Sequence, residues 1–550
     1  MTNTFSRRSL LKAGLGAAAV AGLGAGCSSG GKTASGASGS FTVPKYIPAE
    51  TFPGAITSKV PGVPLGYSKY PRPLVKTVAD VPGKGGKVTS LTMTWGGQPK
   101  PLTGNKYWEG LNQRLGVDWA PTISPADGYE QKLATMLAGG DLPDLMILRP
   151  CAATNTALRQ GAFANLNDVL GGDGISKYPH IGWTRPEQWK QVLVSNNLYG
   201  IPLDVPISNQ QVRIRMDWAR KLGFTKPPAN ADEFHQFLTA VPKGNVGANG
   251  GKAFGLATFS GKGGGNIFVN EMFKVPNVWR QDGDKLVHMF ESDEFAKAME
   301  YSVKLWKDGG FHPDALALSQ QNEKELGLFT GGQLPILSIS IAGWYQAPYN
   351  AVVRASNGGI VPYVVPGADG GTGTYWLGGS VYGLVAVSAK AAKKDGRLDE
   401  LLRVVNYLKA PFGSAENTYL MNGAENDYWT WKNDAPTLID EDKFRADSAA
   451  LYYGYRPNVW YVAGEPTAAK EMIAYCEQVV QTGVSNPCDG ISSTVADRVQ
   501  PVLDEVAGNY LNQIVTGRRP LIDLKAFTDE WRNRGGNQMR DDLHKALQER

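Results

Sequence analysis

Three patterns in the chain carry the letters of catalytic or metal chemistry without the setting that chemistry needs. Gly26-Cys27-Ser28-Ser29-Gly30-Gly31-Lys32-Thr33 spells the phosphate loop G-x-x-x-x-G-K-[ST]. A phosphate cradle needs a buried strand before it and a helix opening after it, so that backbone N–H groups converge on the anion. Here an Ala/Gly run precedes the motif and Ala34-Ser35-Gly36-Ala37-Ser38 follows it, which excludes a cradle. Gly26-x-Ser28-x-Gly30 in the same stretch spells a nucleophile elbow and fails for the same reason. The five histidines (His180, His235, His288, His312, His544) are scattered without metal-ligand spacing, and no C-x-x-C occurs. The sequence thus predicts neither metal nor cofactor nor nucleophile. Paired carboxylates stay open, because glycan-cleaving pairs are defined by separation in space.

The composition fits a large globular body. The chain has 550 residues, 42% hydrophobic and 19% charged, enough for at least two folding units. Its 66 glycines and 34 prolines exceed the usual ~12% combined share and show no collagen period, so they mark loops and turns. Fourteen tryptophans are a surplus of the residue that supplies broad contact faces. Of the net +5, Arg7, Arg8 and Lys12 account for three, leaving +2 on the rest. That balance excludes a nucleic-acid partner.

Those three cations belong to an address. Ser6-Arg7-Arg8-Ser9-Leu10-Leu11-Lys12 resembles a twin-arginine export signal. The apolar run Ala13–Gly26 would rise about 21 Å as a helix, short of the ~30 Å hydrocarbon core, so it is a cleaved signal (residues 1–26) rather than a span. Leu23-Gly24-Ala25-Gly26-Cys27 resembles a lipobox, with leucine four residues before the cysteine where the pattern usually has three. Cys27 is the expected lipidation site. Residues 27–40 then read as a Gly/Ser tether off a membrane, and 41–87, with eight prolines from Pro44 to Pro82, as an extended lead segment draped over the first lobe. Export permits disulfides, and Cys476 with Cys488 would close a short loop across Gly483 and Pro487, leaving Cys151 a buried thiol.

The elements that follow alternate. Val88–Trp95 alternates as a strand, Tyr107, Trp108, Leu111 and Leu115 share a helix face stopped by Gly116, and Val117–Ala120 is a short strand. Asp127 is the expected cap of a helix carrying Tyr129, Leu133 and Met136, and Leu145–Leu148 is apolar throughout, as a strand covered on both faces should be. This order predicts a parallel sheet with ligands at its C-terminal strand ends, where Trp95 and Arg149 fall. Farther on, Ser292 caps a helix through Trp306, Leu334–Ile341 and Val381–Val387 read as strands, and Gly396–Ala410, Val495–Ile514 and Leu524–Trp531 as helices.

Several local patterns, in this order, resemble the extracellular solute-binding proteins of ABC importers, family 1. They are Ala138-Gly139-Gly140-Asp141-Leu142-Pro143-Asp144 before a strand, Leu198-Tyr199-Gly200-Ile201-Pro202-Leu203, Leu328-Phe329-Thr330-Gly331-Gly332-Gln333-Leu334-Pro335-Ile336, and Gly379-Ser380-Val381-Tyr382-Gly383-Leu384. The length and Phe527-Thr528-Asp529-Glu530-Trp531-Arg532 with Gly535-Gly536 look like the large oligosaccharide-binding lipoproteins. Some of those carry a calcium loop; here Pro242–Gly251 has no carboxylate, so calcium is not carried over. The resemblance implies a periplasmic-binding-protein-like α/β fold of class II type, with two lobes, a hinge and an interlobe ligand cleft. Lobe 1 is expected over 88–207 plus 385–415 and lobe 2 over 208–384 plus 416–550. It implies a monomeric, lipid-anchored receptor on the outer face of the cell membrane, without catalysis, passing a carbohydrate to ABC permease subunits. A peptide receptor and a secreted lyase or glycosidase are the alternatives.

A sugar offers apolar C–H faces and polar edges, so such a site needs aromatic platforms and planar hydrogen-bonding groups. The candidates are Trp95, Trp344, Tyr345, Trp376, Trp429, Trp431 and Trp460, with Arg149, Asp204 and Arg456 for hydrogen bonds. For Trp429 and Trp431 a structural hairpin explains the alternation equally well, and an ordinary salt bridge explains each charged candidate.

Overall fold

A five-stranded sheet organises the first lobe. The computed structural model describes residues 41–94, 100–318, 322–341, 347–448 and 458–549, so the signal, the tether and Cys27 lie outside it. Strand Lys87–Thr94 pairs in parallel with Asp118–Pro125 on one side and Leu145–Leu148 on the other. Every residue of Leu145–Leu148 is buried, as its apolar run requires. The helix Lys106–Leu115 between them is capped by the Asn105 side chain, ends at Gly116 in the left-handed region (φ 66°), and buries Tyr107, Trp108, Leu111 and Leu115. The next helix departs from expectation at its start. A 3₁₀ turn, Ala126–Gly128, leads into Tyr129–Gly139, and Gly128 rather than Asp127 holds the cap position.

The sheet is mixed, not wholly parallel. Val381–Val387 runs antiparallel between Leu145–Leu148 and Ile201–Asp204. The reason is connectivity: the chain leaves this sheet after Asp204 and returns at Val381, so it re-enters from the edge where the parallel strands end. Thr94, Leu148, Asp204 and Val381 therefore share one edge.

The second lobe is built on three antiparallel strands, Ile336–Ser340, Gln210–Arg215 and Ile360–Pro362, with Gln210–Arg215 in the middle. Val212 and Ile214 pack into one core, with helices Asp293–Lys307 and Thr494–Val515. Leu337 and Ile339 pack into another, under helix Ala468–Gln481. Tyr419, Leu420, Tyr428 and Trp429, which the sequence reading assigns to lobe 2, pack in the first lobe's core. Helix Ala415–Asn422 buries its residues against Tyr107, whose ring stacks on Tyr419 at 5.6 Å.

The lead segment does more than cover the first lobe. Lys45 and Ile47 donate backbone hydrogen bonds to Gly172 and Gly182 of that lobe. Leu65–Tyr67 then pairs in parallel with Val459–Trp460, and Ser58 donates to Glu477 on helix Ala468–Gln481 at 2.6 Å. The segment next returns: Ala415 donates to the Val75 carbonyl, and Glu416 accepts from Thr77 and Val78. It is a strap that crosses to the second lobe and back.

The expected disulfide is absent. Cys476 and Cys488 are both buried and not bonded to each other, one in the core under helix Ala468–Gln481 and the other in the core around Thr494–Val515. Packing sends the two side chains to different cores despite their short separation. Burial pushes the Cys476 thiol up to about 11, so it is inert. Cys151, expected to be buried, is partly exposed, with its Sγ 3.3 Å from Thr154 Oγ1.

Candidate functional site

The shared sheet edge gathers polar groups. Arg149 follows the last residue of Leu145–Leu148, and its guanidinium lies 4.3 Å over the Tyr382 ring while also donating to the Tyr382 hydroxyl. Tyr382 is held in turn by Met93, its hydroxyl 3.5 Å from the sulfur. The Arg149 Nε is buried and makes no hydrogen bond among the described residues. A buried donor left without an acceptor costs about 1–3 kcal/mol.

Asp204 ends its strand on the same edge. Its carboxylate accepts from Lys409 Nζ at 2.7 Å, and the lysine side chain is only 2% exposed against 16% for the aspartate. An ion pair this dry holds its partners in one geometry because neither charge can return to water without breaking it. The crossing after Asp204 carries Asn209, and the later crossing carries Asn458; in each, the side-chain oxygen is buried without a partner among the described residues.

On the second lobe, Trp376 ends the short strand Tyr375–Trp376 ahead of the Val381 crossing. Its backbone N–H donates to Glu271 at 3.0 Å and its indole N–H to the Val275 carbonyl at 2.9 Å. The indole bond fixes the ring while leaving part of it uncovered. Glu271 is buried, and desolvation drives its carboxyl up to about 8, against which the Trp376 N–H pulls weakly.

The remaining sequence candidates separate by burial. Trp429 is 2% exposed and spends its indole N–H on the Gly423 carbonyl; Trp460 is fully buried. Neither offers a ligand a face, which corrects both assignments: the first is a hairpin residue of the lobe 1 core, the second is roofed by the strap. Trp431 stands edge-on to Trp429 at 5.1 Å, and the Arg72 guanidinium of the strap lies 4.2 Å over it. Its exposed face is thus already taken. Trp95, Trp344, Tyr345 and Arg456 lie outside the described residues. The sequence reading overlooked Tyr382, Lys409, Asn209 and Asn458. Tyr382 was within reach of it, since the residue sits inside Gly379–Leu384 at a strand start; buried Lys409 gave no sign, because it closes an ordinary amphipathic helix.

No family model matches the chain. It is similar to the polygalacturonan/rhamnogalacturonan-binding protein YtcQ of Bacillus subtilis, 23% identical over 502 residues that cover 85% of this chain and 93% of the relative. Lipoprotein LipO of the same organism is 22% identical over 455 residues, 79% of this chain and 86% of LipO. Among solved structures, the Streptococcus pneumoniae ABC-transporter substrate-binding protein FusA in complex with kestose has a TM-score of 0.61 at 14% identity, over 84% of this chain and 99% of FusA. The fold is therefore that of the two-lobed solute-binding proteins, and the two curated relatives agree with the family 1 resemblance carried by the sequence motifs.

Proposed function

We propose that this chain, a solute-binding protein of the family 1 type, is the substrate-binding component of an ABC importer that takes up an oligosaccharide. The carbohydrate binds between the lobes and is handed to permease subunits without being cleaved. The observation that carries this reading is the sheet edge itself: Arg149 with a buried N–H and crossings with two amide oxygens, Asn209 and Asn458, all without partners among the described residues, and Tyr382 beneath the arginine. These are acceptors and donors for hydroxyl groups beside aromatic faces. Similarity to proteins whose names specify polygalacturonan, rhamnogalacturonan and kestose supports the same class of ligand. Trp376 supplies a platform from the second lobe, with Trp95, Trp344, Tyr345 and Arg456 assigned from the sequence to the same cleft.

The chain is taken to be exported by residues 1–26, lipidated at Cys27 and held as a monomer on the outer membrane face. LipO, a lipoprotein by name, supports the anchor. No helix among the described residues is long and apolar enough to cross a membrane. Titration with pectic and fructan oligosaccharides should raise the melting temperature and quench tryptophan fluorescence, with the saccharide recovered intact. Shortened products would overturn the reading in favour of a glycan-active enzyme, and no response to any saccharide would overturn it in favour of a peptide receptor.

A further inference from the structure

Where the strap crosses between the lobes it closes a cavity of about 310 Å³, at the lower end of the ~300–1,000 Å³ usual for small-molecule sites. The strap gives Tyr46, Glu50 and Tyr67, the first lobe gives Trp183, Arg185, Asp204 and Phe412, and the crossing before Val459 gives Asn458. We propose that this hinge cavity is a sugar-ring subsite that selects a neutral ring over a uronate; the proposal rests on the carbohydrate reading above.

Three features point to this ligand. Trp183 is partly exposed, and its indole N–H makes no hydrogen bond among the described residues, so both a ring face and a donor are open. Tyr46 lines the cavity from the strap and is 44% exposed. Asn458 also lines the cavity, and its buried side-chain oxygen has no hydrogen-bond partner among the described residues, which leaves an acceptor beside the space. Aromatic faces with interleaved single donors and acceptors match the alternating C–H and O–H surface of a pyranose.

Charge decides between neutral and acidic rings. Lys409 is bound to Asp204 at 2.7 Å and Arg185 to Glu187 at 3.2 Å, so each cation on the wall already has a carboxylate. Glu50 adds negative charge to the lining, while the Asp204 charge is spent on Lys409. A uronate carboxylate would meet Glu50 and would have to displace a carboxylate to reach a cation, whereas a hydroxymethyl group would not. The ring could be the end of a bound oligosaccharide or a free monosaccharide, since the chemistry is the same.

Calorimetric titration of the full chain with galactose, galacturonate and the di- to hexasaccharides of each tests this. Neutral ligands should bind at least tenfold more tightly than their uronate counterparts, and Trp183→Ala should remove at least tenfold of that affinity while Trp183→Phe keeps most of it. Tyr46→Ala, at an exposed position, should weaken the same ligands with unchanged melting temperature. If the Trp183→Ala loss is seen with galactose itself, the source is a free sugar; if it is seen only with the longer neutral chains, the cavity holds a terminal ring. Equal affinity of Trp183→Ala, Tyr46→Ala and the unaltered chain for the whole series, or preference for the uronates, overturns the subsite. Absence of any saccharide binding by the unaltered chain instead overturns the receptor reading.

Discussion

Tyr375–Trp376 and Val459–Trp460 are two short strands of the same kind, each placing a tryptophan beside a crossing between the lobes. Their tryptophans have opposite fates. Trp376 is pinned by two hydrogen bonds at the margin of a core and keeps an uncovered face. Trp460 is paired with the strap at Leu65–Tyr67 and is fully buried. Gly66 lies so close that a Cβ there would come within 2.9 Å of the Trp460 carbonyl. The difference teaches that a strand end becomes a platform or a core position according to what chain passes over it, which in Trp460's case comes from some 400 residues away in sequence.

Substitutions that break this contrast should rank as follows. Trp460→Ala opens a cavity in a dry core and should cost about 3–5 kcal/mol of stability by denaturant unfolding. A loss under 1 kcal/mol would mean that the roof is loose. Glu271→Gln probes the support under Trp376. The Glu271 carboxyl is held neutral with its value raised from 4.5 to about 8, so its contribution to stability is full below pH 4.5 and is lost as the pH rises through 8. The parent should lose up to about 1.4 kcal/mol per pH unit across that window relative to Glu271→Gln. Parallel stability curves for the two proteins would remove Glu271 from that role. Trp376→Ala should weaken oligosaccharide binding at least tenfold, about 1.4 kcal/mol, while the melting temperature shifts far less than for Trp460→Ala. Unchanged affinity would make Trp376 another core residue. Tyr382→Phe removes one hydroxyl from under Arg149 and should cost about 1 kcal/mol of binding, visible as a faster off-rate.

The architecture was largely legible in the sequence, because it is written in local periodicity. Val381–Val387 and Leu524–Trp531 have the bounds expected of them, and Ser292 caps its helix, its hydroxyl oxygen accepting from the Phe295 N–H. What escaped was everything set by partners distant in the chain. The antiparallel insertion of Val381–Val387 follows from where the chain re-enters, not from its own residues. Cys476 and Cys488 lie close in sequence, but helix phase sends one thiol toward Ser208 and Trp460 and leaves the other in a separate core. The candidates show the same limit: Arg149 and Asp204 stand at strand ends as their local sequence predicts, because strand ends are local features, whereas the burial of Trp429 and Trp460 is not local.

The strap also has a consequence in time. Its partners lie far along the chain, Ser58 and Glu477 being 419 residues apart and Thr77 and Glu416 339 apart. Closing such loops delays contact formation and slows folding, so the segment that leaves the ribosome early docks late. Until then Trp460 and Phe412 lack their cover, and refolding followed by tryptophan emission should end in a slow phase that reports the strap settling over the hinge.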